Sequence, residues 1–467
     1  MRPILASRVK RRAPLVAALV AALIAGPAAA ASAAATQATT ATQATTATQA
    51  TATTTSTSFS ARGLTPSSRL YLPPPSQGAA GQVGQLLASG DRRDATLIAQ
   101  MEAVPRAVWF TSGTPAQVRQ QVRQTMARAA WQHAVPVLVA YDIPGRDCAQ
   151  YSAGGALNEA AYEAWISAFA AGIGHARAVV IVEPDALGNL PSDCGGPTTT
   201  YPFTDADRYA EIQYAVTALE AQPHVAAYLD GTHSAWQSVG TITQRLLTAD
   251  VQDAQGFFLN VSNYQPDANL IDYGTWISDC IAMVTDPSNG SYGNPGACAS
   301  QYYPATESDF STWGLTTAWY AQNMGTAVAT THFVVDTSRN GDGPNGMQAY
   351  AQPPYDQPAS VIATLASGNW CNPPGSGLGL RPTARTGVPL LDAYLWVKTP
   401  GQSDGQCDAA GGVRAWDYSD YSQPGWPADA ASQALFDPLW GISDPAAGSW
   451  FSQQALQLAQ DARPALR

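Results

Sequence analysis

Seven short, nearly continuous apolar runs alternate with helical segments along most of the chain, and this alternation limits the possible folds more than any other feature. Such runs are typical of parallel strands that are buried on both faces. Amphipathic segments between them predict helices, and in the first of these Thr114 is the expected cap and Pro115 the first residue. Alternation over this length leaves two architectures, an α/β barrel and a doubly wound sheet. The predicted strands are 107–110, 135–143, 178–183, 224–230, 256–262, 332–338 and 391–398.

Almost every predicted strand ends in a polar or aromatic residue that strand formation does not require. In a parallel barrel the carboxyl ends of the strands converge on one mouth, where active sites lie. Asp and Asn also cap helices, and capping is the alternative explanation for any single position. The recurrence along the chain favours the barrel, with a functional site at its mouth. The residues concerned are Trp109, Asp142 with Asp147, Asp185, Asp230, Asn260 with Asn263, Asp336, and Lys398 with Asp404.

The overall charge limits the possible partners. The 467 residues carry a formal net charge of −11, and the sequence pI is about 4.8. Such a surface repels nucleic acid and anionic membranes, so we expect neither as a partner. A neutral polymer meets no such repulsion.

The N-terminal residues have the pattern of export and spacer segments. Residues 1–35 combine basic residues, an apolar run and Ala-x-Ala sites, which is typical of a secretion signal. The pair Arg11-Arg12 leaves both the general secretory and the twin-arginine routes open. Residues 36–66 form a Thr/Ala/Gln-rich segment with no apolar face, which we expect to be a disordered linker. The folded domain is then expected over 67–467, in an extracellular protein.

The chain has six cysteines. None forms a CxxC motif or stands with a histidine at metal-ligand spacing, so we expect no metal and no other cofactor. An even number in an exported chain indicates three disulfides, although six cysteines allow 15 connectivities. Pairing in sequence order is the simplest arrangement, and it gives Cys148–Cys194, Cys280–Cys298 and Cys371–Cys407.

The sequence lacks the motifs of several enzyme classes. The five histidines are scattered, and there is no GxSxG elbow, Walker loop or dinucleotide glycine fingerprint. Carboxylates, one lysine and tryptophans remain at the predicted strand ends. Glycoside hydrolysis uses such a set: one carboxylic acid protonates the leaving oxygen, and another group handles water or the developing positive charge. Indole faces stack on the sugar rings.

Several segments resemble, in order, the motifs of glycoside hydrolase family 6, the cellulase family of endoglucanases and cellobiohydrolases. The resemblance implies a distorted, incomplete barrel of seven parallel strands with surrounding helices. It also implies hydrolysis of β-1,4-glucan with inversion at the anomeric carbon. The expected partner is a polysaccharide, either cellulose or a soluble β-glucan, and we expect a monomer. The segments are YDIPGRDC (141–148), VIVEPDAL (180–187), YLDGTHSAW (228–236), NVSNY (260–264), DTSRNG (336–341), NWCNPPGSGLGLRP (369–382) and DAYLWVKTPGQSDG (392–405).

The resemblance assigns catalytic roles to three aspartates. Asp185 of Glu-Pro-Asp is implied to be the general acid. Asp147 of Arg-Asp-Cys is implied to raise the pKa of Asp185 and to support the oxocarbenium-like transition state. Such an effect is physically reasonable because a neighbouring carboxylate raises a pKa by repulsion. Asp404 of Ser-Asp-Gly corresponds to the traditional candidate base, and the alternative is a chain of water molecules that reaches Asp147.

Sugar-binding roles follow from the same resemblance. Trp109, Trp236 and Trp370 correspond to stacking tryptophans, and Tyr141 is expected beside the reacting ring. Lys398 is the only lysine outside the signal segment, so generic surface charge does not explain it. The residues expected to hydrogen-bond sugar hydroxyls are Asp230, His233, Asn263 and Lys398. Three tryptophans within helical or strand patterns are expected in the core, namely Trp165, Trp319 and Trp396.

The resemblance also supports the pairing of cysteines in sequence order. The first and third bridges would pin the loops that carry Asp147 and Asp404. Three features depart from the family. YLDGTH (228–233) replaces the commoner Asp-Ala-Gly-His, which could shift His233; Gln402 stands where a substrate-binding glutamate is usual, and Thr111 where an aspartate often follows the first strand.

Two segments bear on whether the cleft is open. The short, Gly-rich segment 149–156 is more typical of endoglucanases than of cellobiohydrolases, which roof the cleft with long loops. The segment 405–438 is longer than in the smallest endoglucanases. We expect endo action, with a cellobiohydrolase as the alternative. A non-catalytic glucan-binding protein on the same scaffold and a retaining hydrolase on an ordinary barrel are the other hypotheses.

Overall fold

The structure is a computed structural model that describes residues 63–353, 355–367, 369–406, 425–437 and 439–466. The expected signal and most of the expected linker lie outside the described residues, so the domain boundary at residue 67 stays a prediction. Cys407 and much of the segment after Asp404 also lie outside them. Within the described ranges, no helix has the length and apolar character needed to cross a membrane.

Seven strands form one parallel sheet in the order of the chain, and each lies within one of the predicted apolar runs. Leu138, Val180 and Ala227 are partners in register across three neighbouring strands. The predicted seven-stranded barrel is confirmed, and a doubly wound sheet is excluded because the strand order never reverses. The strands are β1 (Val108–Phe110), β2 (Val137–Ala140), β3 (Ala178–Val182), β4 (Val225–Asp230), β5 (Gly256–Leu259), β6 (His332–Asp336) and β7 (Leu391–Leu395), and a separate antiparallel pair consists of β8 (Phe436–Asp437) and β9 (Ile442–Ser443).

Helices follow the barrel strands. Thr114 caps the helix after β1, because its hydroxyl accepts the Gln117 N–H at 3.3 Å while the Gln117 side chain accepts the Thr114 N–H at 2.8 Å. Pro115 occupies the first turn as predicted. The described α-helices are α1 (Ala79–Ser89), α2 (Arg92–Glu102), α3 (Pro115–Trp131), α4 (Glu159–Ile173), α5 (Asp205–Glu220), α6 (Val239–Thr248), α7 (Asp267–Thr285), α8 (Trp313–Asn323), α9 (Ala359–Ser367), α10 (Ala430–Ala434) and α11 (Ser452–Gln460).

The two faces of the sheet bury different cores. Successive side chains of a strand point to opposite sides, so Val137 and Val139 of β2 fill the barrel interior, whereas Leu138 and Ala140 pack against the surrounding helices. Among the tryptophans expected in the core, Trp165 and Trp396 are buried, and Trp319 is half-buried against the helices.

The barrel has a seam between its first and last strands. β1 and β7 stand at the two ends of the sheet, and residues in or next to them meet through two hydrogen bonds. The Ala107 N–H donates to the Trp396 carbonyl at 2.9 Å, and the Trp109 indole N–H donates to the Val397 carbonyl at 2.8 Å. On the outside, Trp396 packs with Leu458 of α11 and with residues of α1 and α2 in one apolar cluster. This arrangement is the distorted barrel that the family resemblance implies.

The structure contains two of the three expected disulfides, Cys148–Cys194 and Cys280–Cys298. Cys371 is also disulfide-bonded. Its expected partner, Cys407, lies outside the described residues, so that pairing stays a prediction.

Candidate active site

Asp185 lies just beyond the end of β3, at the mouth of the barrel. Its backbone adopts the left-handed region with φ of 67°, which is uncommon for residues other than glycine, although aspartate tolerates it better than most. Burial raises the pKa of Asp185 well above its ordinary value, and the carboxylates of Asp230 and Asp147 raise it further. The carboxyl group is therefore set up to remain protonated and to donate a proton.

Asp147 lies on the tight turn Arg146–Ala149 that follows β2. Its Oδ2 accepts the Ser152 N–H at 2.5 Å, and the adjacent Cys148 joins this turn to the loop beyond β3 through Cys194. The pKa of Asp147 is raised, chiefly by burial; the Ser152 N–H and the charge of Arg146 oppose the change, and the negative charge of Asp404 adds a smaller increase. Arg146 directs its donors to the Tyr141 and Thr111 carbonyls rather than to this carboxylate.

Asp404 is buried and is held by two cations. Its Oδ2 accepts from Arg339 Nη1 at 2.8 Å, and its Oδ1 lies 2.9 Å from Lys398 Nζ. The Tyr264 hydroxyl and the Asn372 N–H also donate to Oδ2, at 3.1 and 3.0 Å. Burial alone would raise the pKa of Asp404, but the two cations and these donors hold it at about 2. The group is an anion at any working pH, and it is a weak base.

Lys398 is buried as well, and burial lowers the pKa of its ammonium group while Asp404 opposes that change. One N–H group of Lys398 donates to the Ser403 carbonyl at 3.1 Å and another faces Asp404. An ammonium group has three donors, and the described residues engage two of them, which leaves one for a ligand at the mouth.

Three buried carboxylates at strand ends hold the loops of neighbouring strands by accepting backbone N–H groups. Glu183 at β3 accepts from Asp142 and Ile143 beyond β2. Asp230 at β4 accepts from Leu187 and Gly188 beyond β3, at 3.1 and 2.9 Å. The third, Asp336 at β6, accepts from Val397 and Lys398 beyond β7 at 3.1 and 3.0 Å. Each carboxylate therefore fixes the position of a loop at the mouth.

Asp230 was predicted to bind a sugar hydroxyl. The structure buries its side chain, and its Oδ1 also accepts the Thr232 N–H at 2.9 Å. Its lone pairs are largely used by the backbone, so a sugar contact stays a prediction while its role in holding the loop after Asp185 is evident. Glu183 was missed as a functional residue, although it stands two positions before Asp185 in the Glu-Pro-Asp motif.

Arg208 of α5 connects the two loops that carry Asp147 and Asp185. Its guanidinium is buried and donates to the Pro144 carbonyl at 3.0 Å and to the Ala186 carbonyl at 3.1 Å. Pro144 precedes Asp147 by three residues, and Ala186 directly follows Asp185. Sequence reasoning did not single out this arginine, because nothing within α5 indicates which backbone carbonyls its side chain reaches.

The three expected stacking tryptophans, Trp109, Trp236 and Trp370, are half-buried. Trp109 meets Tyr141 edge to face with ring centroids 5.4 Å apart, and Trp370 lies 5.8 Å from the Tyr151 ring. The Trp236 indole packs on Gly188, where the Cβ atom of any other residue would lie only 2.4 Å from the ring. A side chain at position 188 would therefore displace the tryptophan.

Two further predicted ligands retain polar groups for binding. Burial lowers the pKa of His233 to about 3, so its ring is neutral. Its Nδ1 accepts the Ala235 N–H at 3.2 Å, which leaves the proton on Nε2 as a donor. Asn263 is half-buried, and among the described residues no partner occupies its side-chain amide. Both stay predicted sugar ligands.

The site combines an acid with a strongly raised pKa, a second carboxylate beside it, a carboxylate held by two cations, and half-exposed indoles. The acid can protonate a leaving oxygen. Asp404, and Asp147 when it is ionised, can stabilise positive charge on a sugar ring, and the indoles can bind sugar rings.

Comparison with known proteins gives a family match over almost the whole described domain. Residues 65–462 match the family described as "Glycosyl hydrolases family 6". The structure is similar to that of the endoglucanase Cel6 from Mycobacterium tuberculosis, solved in complex with methyl-cellobiosyl-4-deoxy-4-thio-β-D-cellobioside. The two share 30% identity with a TM-score of 0.56, and the match covers 84% of this chain and 97% of the other.

Three relatives characterise the sequence match. Endoglucanase A of Cellulomonas fimi is 31% identical over 85% of this chain and 62% of its own length. Endoglucanase A of Thermobispora bispora is 31% identical over 69% of this chain and 55% of its own length. The chain therefore spans less than two thirds of the length of these two relatives. The 1,4-beta-D-glucan cellobiohydrolase C of Emericella nidulans is 28% identical over 77% of this chain and 70% of its own length.

Proposed function

The chain belongs to glycoside hydrolase family 6, and from this premise we propose that it is a secreted endo-β-1,4-glucanase that acts with inversion. The observation that carries the proposal is the environment of Asp185. Its pKa is raised well above the ordinary value by burial and by neighbouring carboxylates, which suits a general acid that protonates the leaving glucosyl oxygen. The substrate is a β-1,4-glucan, cellulose or a soluble polymer, bound along the indoles at the mouth.

Asp404 stabilises charge rather than removing a proton in this proposal. A group with a pKa of about 2 that is held by Arg339 and Lys398 is a poor general base, because efficient bases have a pKa near the working pH. Asp147 has a raised pKa and follows β2, the strand next to the one that carries Asp185. It is the better proton acceptor, reached through water. This choice favours the water-chain alternative over direct action by Asp404.

Endo action is supported by two observations. The segment between Cys148 and α4 is short, which leaves this side of the cleft without a long covering loop. The endoglucanase relatives are also slightly more similar than the cellobiohydrolase. The longer segment after Asp404 lies largely outside the described residues. A cellobiohydrolase of the same family is the second candidate, since that class is also among the relatives.

Viscometry on soluble carboxymethylcellulose tests endo action. The viscosity should fall steeply for each reducing end released, because internal cuts shorten the polymer quickly. A slow fall in viscosity together with steady release of cellobiose would identify an exo enzyme instead. Proton NMR of the first product tests inversion, which should give the α anomer. No release of sugar from acid-swollen cellulose would point to a non-catalytic glucan-binding protein.

Secretion is supported by the disulfides, because such bonds persist in oxidising compartments. Mass determination of the protein from culture medium tests it, since removal of the signal shortens the chain.

A further inference from the structure

Exposed aromatic side chains are concentrated in one segment, between α7 and α8. Of the six large aromatic side chains in the described part that are strongly exposed, four lie within residues 292–310. The most exposed of these four is Tyr303, at 79%. Single exposed aromatics need no explanation, but a group of them indicates a binding surface. The four residues are Tyr292, Tyr302, Tyr303 and Phe310.

This segment is fixed to the barrel before any ligand arrives. The Cys280–Cys298 disulfide joins it to α7. The Tyr320 hydroxyl of α8 donates to the Ala299 carbonyl at 2.8 Å, and the Thr316 hydroxyl donates to the Ser300 carbonyl at 2.8 Å. A turn is closed where the Ser300 N–H donates to the Tyr303 carbonyl at 2.7 Å. A surface held in this way loses little conformational entropy on binding.

The tip of the segment meets the loop that carries Trp236. The Tyr302 hydroxyl donates to the Trp236 carbonyl at 2.7 Å, and the Gln301 side chain donates to the Gln237 carbonyl at 2.9 Å. The Trp236 indole in turn packs on Gly188, three residues after Asp185. Trp236 therefore contacts both the loop that follows Asp185 and Tyr302, and Tyr303 is the next residue along the chain.

We propose that Tyr302 and Tyr303 form a distal binding site that extends the glucan cleft beyond Trp236. The occupant is the same β-1,4-glucan chain, because the site is continuous with Trp236 and offers rings with apolar faces and hydroxyl edges, which suit glucose units. The inference rests on the proposed function, and it assigns a role to a segment that the barrel itself does not require.

Kinetics on two chain lengths test the site. In the full chain, Tyr303→Ala should raise the KM for cellohexaose about three- to tenfold, as expected from the loss of one ring contact, and leave kcat unchanged. The KM for cellotetraose, which is too short to use both the cleavage site and the distal site, should stay the same. Trp131→Ala is the matched control, since this 84% exposed tryptophan ends α3 at the opposite end of the barrel.

Several results would overturn the inference. One is the same KM for the wild type and Tyr303→Ala on cellohexaose. Another is an equal rise in KM on both oligosaccharides, which would indicate a structural role for Tyr303. A dimer in sedimentation that Tyr303→Ala abolishes would show that the segment binds a second copy instead. If the wild type cleaves no glucan, the proposed function fails, and calorimetry of cellohexaose binding to both variants then decides the distal site separately.

Discussion

Arg339 Nη1 lies 2.8 Å from Asp404 Oδ2, and both side chains are buried below the mouth of the barrel. Removing one member of such a pair leaves a charge without compensation, which typically costs about 3–5 kcal/mol. We therefore expect Asp404→Asn to lower the free energy of unfolding in urea by about this amount. Asp342→Asn is the control, because its partner Arg463 is largely exposed and such a pair contributes at most about 1 kcal/mol.

The same pair has a pH dependence. The pKa of Asp404 is about 2 in the folded protein, below its ordinary value, so the folded state favours the anion. The contribution of this ionisation to the free energy of unfolding is fully present above the unfolded pKa of about 4, and it is lost as the pH falls from there toward 2.

Azide tests whether Asp404 is the direct base. If it were, azide added to Asp404→Ala would yield a glycosyl azide, and we expect none.

Asp185→Ala separates the acid from the other carboxylates. Polymer hydrolysis should fall about 10²–10⁴-fold, because the leaving glucosyl oxygen needs a proton. An aryl cellobioside with a good leaving group should lose far less, since its phenolate leaves without protonation. The ratio of kcat/KM on the two substrates is the measurement. Equal losses on both would contradict the assignment of the acid.

Arg208→Met tests whether the loops of Asp147 and Asp185 must be held together. We expect kcat to fall about 10–100-fold with little change in KM, because a small displacement of catalytic groups is costly. The basic limb of the pH–rate profile should also move to lower pH, since Asp147 no longer raises the pKa of Asp185 as strongly. Arg245→Met is the matched control, as that side chain holds only the loop after Asp185, through the Leu187 and Gly188 carbonyls. The prediction fails if both variants change kcat and the profile equally.

Glu211 and Asp142 should make the protein less stable as the pH rises. Burial raises the pKa of Glu211 to about 8 and that of Asp142 to about 7. The folded state therefore binds more protons than the unfolded chain between pH 4 and 8, so stability is highest at the low end of this range and declines toward pH 8. The slope is at most about 1.4 kcal/mol per pH unit for each group.

Glu211→Gln mimics the protonated form and provides the check. Its stability in urea should change less between pH 5 and 8 than that of the wild type, and it should exceed the wild type at pH 8. A wild-type stability that rises across this range would contradict the raised pKa values.

The strands and the set of residues at the mouth were predictable because they depend on local patterns. Near-continuous apolar runs indicate buried strands, and the structure has all seven within the predicted ranges. The different roles of the carboxylates at the strand ends were not predictable. Asp185 follows β3 and Asp230 ends the neighbouring β4, and the two look alike in sequence, yet only the structure shows that backbone N–H groups donate to Asp230.

The role of Arg208 was hidden for a related reason. It reaches the Pro144 carbonyl, 64 residues earlier in the chain, from a helix whose sequence predicts only an amphipathic surface. Contacts between a side chain and a distant backbone carbonyl leave no pattern in the sequence, because any residue supplies the carbonyl. Such contacts fix the relative positions of catalytic loops, and they need coordinates to be found.

Trp109 belongs both to the mouth and to the seam between β1 and β7. One edge of its indole closes the seam through the Val397 carbonyl, and Val397 directly precedes Lys398. A glucose ring resting on this indole would therefore contact the side chain that helps to close the seam. Substrate binding and barrel closure would then share one side chain, and the lysine that faces Asp404 directly follows the residue that accepts its hydrogen bond.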